Sequence, residues 1–92
     1  MSKLVLLKEL DEKALNAALS IEGSAIVLLQ DAVYMAGERP QVKESLNKHI
    51  FYILGGDAAK RGLPPESLEG LLILGYDELV DLMFSGAEVI NL

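Results

Sequence analysis

Glu22–Ala36 reads EGSAIVLLQDAVYMA, and its centre, Ser24–Leu29, runs through small and branched apolar residues without polar alternation. A strand exposed on one face alternates apolar and polar side chains. A continuous apolar run bounded by turn residues therefore points to burial on both faces. Double burial is the signature of a parallel sheet whose crossover helices cover it.

Outward from this strand the same grammar repeats. Lys3–Leu7 is a strand candidate. Asp11 suits an N-cap, and Leu10, Ala14, Ala17, Ala18 and Ile21 fall at helical spacing behind it. Glu22-Gly23-Ser24 ends that helix. On the far side, Asp31 is placed to cap a short helix over Ala32–Ala36, which Gly37 breaks. Pro40 opens a further turn with Val42 and Leu46 facing inward.

His49–Leu54 is a third strand, and Gly55-Gly56-Asp57 turns it into a short helix closed by Gly62. Leu63-Pro64-Pro65 is irregular, since proline fixes its own φ and restricts its predecessor. Leu71–Leu74 reads as a fourth strand. From Tyr76, Leu79, Val80, Met83 and Phe84 trace an amphipathic helix, with Asp77 and Glu78 suited to its positive end. Gly86 ends it, and Ala87–Ile90 supplies a short last strand. The expectation is an α/β domain spanning residues 1–92, a mainly parallel four- to five-stranded sheet flanked by helices.

Composition narrows the function classes. With 51% apolar residues and a mean hydropathy of +0.32, a chain of 92 residues has more apolar side chains than a small core absorbs. Some should face outward, which predicts an oligomer or another interface. No unbroken apolar run exceeds the five residues of Ala25–Leu29, so no membrane span is expected. The short apolar stretch in MSKLVLLKEL runs straight into charge, unlike a signal peptide, and a cytoplasmic location is expected. A net charge of −6, with basic residues in no run longer than two, argues against direct nucleic-acid binding.

No residue pattern announces catalysis. The absence of cysteine removes thiolate chemistry and thiolate metal sites together. His49 is the sole histidine, without a partner ligand, and reads as an exposed side chain leading into a strand. No serine lies in a nucleophile elbow. Gly55-Gly56-Asp57 lacks a phosphate-binding pattern, and Asp57 would repel phosphate. Lys60 and Arg61 read as a solvated pair. No cofactor, metal or catalytic residue is expected.

Two places merit attention as binding surfaces. Gln30 and Asp31 follow the second strand, at the strand ends where open α/β sheets bind ligands. They could hold a small polar ligand or meet a partner subunit, while Asp31 also serves as a cap. Val33, Tyr34 and Met35 sit in a helix apolar nearly all round, and with Tyr76 they are interface candidates, core packing being the alternative.

Three segments together resemble the DsrH/TusB family: Glu22–Ala36, Lys48–Leu63 (KHIFYILGGDAAKRGL) and Gly75–Leu92 (GYDELVDLMFSGAEVINL). The residues carrying the likeness are Leu28, Leu29, Gln30, Asp31, Ala32, Val33 and Tyr34, then Phe51, Tyr52, Ile53 with Lys60, Arg61 and Gly62, and finally Gly75, Tyr76, Val80, Asp81 and Leu82. The resemblance implies a small DsrE-like, flavodoxin-like domain. It also implies a non-catalytic subunit of a sulfur-relay complex, packed with DsrE/TusD-like and DsrF/TusC-like subunits or with itself. In such complexes a cysteine on the DsrE/TusD-type partner carries sulfur as a persulfide, toward wobble-uridine 2-thiolation of tRNA or toward sulfur oxidation. Some members carry a cysteine on the first helix, but Lys13–Ser20 has none here. A reading independent of the family is a stand-alone homo-oligomeric protein that binds a small ligand or regulates.

Overall fold

The computed structural model describes residues 3–92. Five strands form one sheet: β1 (Lys3–Leu7), β2 (Ala25–Leu28), β3 (Ile50–Leu54), β4 (Leu72–Leu74) and β5 (Glu88–Asn91). Every neighbouring pair is parallel, in the order β4-β3-β2-β1-β5. The register sets Val5 beside Ile26, Ile26 beside Phe51, and Ile53 beside Ile73. Four-residue β2 is buried throughout, as its unbroken apolar sequence requires.

The order of the strands decides how the helices divide. From β1 to β4 the chain steps steadily toward one edge, and then it returns across the whole sheet to place β5 beside β1. Crossovers between parallel strands share one handedness, so steps in opposite directions put their helices on opposite faces. On one face, Leu15 and Ala18 of α1 (Glu12–Leu19), Met35 and Ala36 of α2 (Met35–Glu38), Val42 of α3 (Pro40–Glu44) and Ala58 of α4 (Gly55–Lys60) pack with Val5, Leu7, Ile26, Leu28, Phe51 and Ile53. The other face carries α5 (Tyr76–Met83) alone, whose Leu79, with Leu82 and Met83, covers Leu4, Leu6, Ala25 and Val27. One eight-residue helix is too short to cover five strands, and this asymmetry governs the exposed surface.

Local signals explain most element ends. Asp11 caps α1 as expected, its Oδ1 accepting from the backbone N–H groups of Lys13 (2.9 Å) and Ala14 (3.4 Å). Pro40 occupies the first turn of α3, where a missing N–H costs nothing. Glu78 of α5 reaches back to accept the Gly75 N–H at 2.8 Å, and Gly62 and Gly86 adopt φ of 68° and 100° just beyond α4 and α5.

Four expectations are corrected. Asp31 caps no helix: it lies inside a 3-10 helix, Gln30–Tyr34, whose N-cap is Leu29 and has no side-chain cap. Gly37 lies within α2, and the break comes at Arg39, where the backbone turns extended ahead of Pro40. His49 is buried rather than exposed. Its Nδ1 lies 3.0 Å from the Ser24 carbonyl oxygen and 3.3 Å from Ser24 Oγ, and its Nε2 lies 3.1 Å from the Leu19 carbonyl oxygen. It thus ties the entrance of β3 to the end of α1. In α5, Tyr76 and Phe84 fall outside the buried stripe, 72% and 85% exposed, because they stand at the first turn and just past the last, beyond the sheet's reach.

Candidate functional site

Two surfaces of the molecule have the makings of a site. The first lies where β2 and β3 end. Gln30, two residues past the end of β2, takes φ = 51°, in the left-handed region that L side chains disfavour by roughly 1–2 kcal/mol. The conformation is held from across the sheet: the Gln30 N–H donates to Asp57 Oδ2 at 2.7 Å, from the first turn of α4. Arg61, at the end of α4, donates from Nε to Asp31 Oδ1 at 3.0 Å and from an Nη to the Asp57 carbonyl at 3.3 Å. Asp31 is 67% exposed, so this ion pair is solvent-screened and contributes little to stability.

The carboxamide of Gln30 is exposed and enters no hydrogen bond among the described residues. Beside the cluster lies an open recess of about 340 Å³ lined by Tyr34, Gly37, Arg61, Leu63, Pro64 and Ser67. It offers a guanidinium, a phenol and a hydroxyl, enough to orient a small polar group. Among the described residues no group of three or more His, Cys, Asp or Glu is placed to hold a metal ion.

The second surface is the face that α5 covers incompletely. Ile50 and Leu72 point to that side beside half-buried Tyr52, 49% and 53% exposed, and Tyr76 and Phe84 project from the two ends of the helix. Exposed large apolar side chains of this kind make the face a candidate contact surface. Between helix and sheet runs a groove of about 410 Å³, lined by Tyr52, Leu74, Glu78, Asp81, Leu82 and Ser85.

The six residues singled out from the sequence therefore separate. Gln30 and Asp31 stand together at the exposed strand ends, and Tyr34 is half-buried beside the recess. Tyr76 opens α5, the helix of the opposite face, and is exposed. Val33 and Met35 are corrected: both are 0% exposed, packed against the sheet on the α1–α4 face, and so line no surface. Val33 lies in the 3-10 helix Gln30–Tyr34, which packs with α4, and Met35 opens α2, which packs with α3 and the 3-10 helix Pro65–Leu68, cover that sequence periodicity could not supply. Asp57 and Arg61, read from sequence as a phosphate-repelling turn and a solvated cation, are instead the groups that organise Gln30 and Asp31. Their partners lie 27 and 30 residues away, so no local signal revealed them. Phe84 was legible as apolar, but not as exposed.

An all-parallel five-stranded sheet in the order β4-β3-β2-β1-β5, four helices on one face and one on the other, defines a small three-layer α/β protein. The chain belongs to the DsrH family: the family model described as DsrH-like protein matches residues 10–89. The solution NMR structure of protein Tm0979 from Thermotoga maritima has a similar fold, with a TM-score of 0.68 over 90% of this chain and 92% of that one, at 24% identity. Among curated proteins none matches the sequence. No helix among the described residues is long and apolar enough to cross a membrane.

Proposed function

We propose that this chain is a non-catalytic subunit of a cytoplasmic sulfur-relay complex of the DsrEFH/TusBCD kind, acting as one domain. It supports persulfide transfer by a cysteine-bearing DsrE/TusD-like partner, with a DsrF/TusC-like subunit as the third component. The observation that carries this reading is a DsrH-family chain without cysteine. A persulfide requires a thiolate, so sulfur held on cysteine must reside on another subunit.

The contact surface in this reading is the α5 face, where Tyr76, Phe84, Ile50 and Leu72 provide exposed apolar anchors and α5 adds the exposed Asp81 carboxylate. Aromatic anchors of this type dominate interface energetics once desolvated. Gln30, Asp31 and Tyr34 at the strand ends form a polar patch suited to a subunit rim or a small ligand. The served outlet is wobble-uridine 2-thiolation of tRNA or sulfur oxidation.

Native mass spectrometry of the chain, alone and co-expressed with small cysteine-containing paralogues encoded beside it, tests the proposal. A defined hetero-oligomer is expected. A homo-oligomer indifferent to those proteins refutes it and favours a stand-alone binding module, the reading to which the strained Gln30 and the recess beside Arg61 lend weight.

A further inference from the structure

The two edges of the sheet are not alike. At one edge, β5 shows Glu88 and Asn91 to solvent, the polar pattern with which proteins discourage additional strand pairing. At the other, β4 is Leu72-Ile73-Leu74, bonded to β3 on one side only. It holds no charge, proline or bulge, and Leu72 and Ile73 are 53% and 58% exposed on its two faces. Its outward backbone groups are thus available to a further strand, and its brevity is the sole protection it has.

The ground on either side of this edge is shaped differently on the two faces. On the α4 side, Ile73 borders an apolar recess of about 240 Å³ with Ala59, Leu63, Pro65 and Leu68. On the α5 side, the groove beyond Leu74 is rimmed by the carboxylates of Glu78 and Asp81, one turn apart on the helix. Glu78 already accepts the Gly75 N–H, while Asp81 is exposed and has no hydrogen-bond partner among the described residues. Alternate side chains of a strand laid against β4 fall to opposite faces. One set would enter the apolar recess and the other would meet the acidic groove.

We infer that the β4 edge is a docking site for an extended segment of another polypeptide in which apolar and basic side chains alternate. Main-chain pairing supplies the attachment, and the two unlike faces supply the selection. A second copy of this chain is a poor occupant: its own edge strand brings no basic residue to the acidic groove, and both copies carry a net charge of −6. The inference shares Leu72 and Asp81 with the α5-face surface of the sulfur-relay reading but is tested apart from it, since Ile73 and its recess lie on the other face and Tyr76 and Phe84 take no part.

The test uses the full chain, ¹⁵N-labelled, titrated with the blocked peptide acetyl-KVKVKV-amide and followed by heteronuclear NMR. Shifts centred on Leu72–Leu74, Leu68 and Asp81 are expected, together with slowed exchange of the outward β4 amides. The peptide acetyl-EVEVEV-amide should bind at least about tenfold more weakly, because like charges then face one another. Ile73→Lys and Asp81→Lys, both at exposed positions, should each weaken binding of the basic peptide several-fold while leaving the thermal midpoint near wild type. Shifts that centre on Phe84 and Tyr76, equal binding of the two peptides, or binding unaltered by Ile73→Lys would each overturn the inference. A concentration-dependent dimer abolished by Ile73→Lys would overturn the assigned occupant.

Discussion

Replacing Asp57 with alanine isolates the contact that shapes the strand-end cluster. The carboxylate holds the Gln30 N–H at 2.7 Å, a hydrogen bond to a charged acceptor, for which about 1.5–3 kcal/mol is usual. Because the contact is exposed and water can replace the acceptor, the expected loss is at the low end, about 1–1.5 kcal/mol. Asp57→Asn keeps an acceptor and should lose less than half of that. Gln30→Gly removes the cost of φ = 51°, roughly 1–2 kcal/mol, but glycine gives back about 0.5–1 kcal/mol through the freer unfolded chain. That single variant should therefore be neutral to about 1.5 kcal/mol more stable. The double variant should show coupling, since without Asp57 a glycine at 30 relaxes where glutamine cannot. Urea denaturation read by far-UV circular dichroism measures all four species. At a slope of about 1–3 kcal/mol/M, the Asp57→Ala midpoint should fall by roughly 0.3–1.5 M. A midpoint within error of wild type, or a Gln30→Gly chain that is clearly less stable, would refute the argument that Asp57 holds a strained backbone in place.

Other consequences are simpler to state. His49→Ala removes the ring that meets the Leu19 and Ser24 carbonyls and should cost about 1–3 kcal/mol, a fall of several degrees in thermal midpoint for a chain of this size; an unchanged midpoint would mean that the ring does not tie α1 to β3. Met35→Ala opens a cavity at a fully buried site and should destabilise by about 2–5 kcal/mol, read by the same denaturation curves. Phe84→Ser, at a position 85% exposed, should leave stability within about 0.5 kcal/mol, yet reduce hetero-oligomer formation by at least tenfold in a co-purification titration; intact assembly would move the contact surface away from α5. Gly70→Ala should destabilise measurably, because φ is 88° there and a Cβ would stand 2.5 Å from Leu46 Cδ1.

Strand and helix signals were readable because they are local. The unbroken apolar run of β2, the cap at Asp11, the proline opening α3 and the glycines closing α4 and α5 each act within a few residues. Every one leaves a mark in the linear pattern. Parallel pairing followed from the same run, since only a sheet covered on both faces needs a strand without a polar side. Family resemblance was legible for the related reason that its motifs straddle strand ends.

What the sequence could not specify is which apolar residues would find cover. Val33, Met35 and Phe84 are similarly apolar in the chain. The first two are sealed beneath α3, α4 and the Pro65–Leu68 turn, whereas Phe84 stands in solvent because one helix alone returns across that face. The same holds for polar groups: Asp57 and Arg61 find Gln30 and Asp31 only because adjacent parallel strands end side by side. Periodicity is a property of neighbours along the chain and determined the elements. Exposure and site geometry are properties of neighbours in space, and the order of the strands in the sheet decided them.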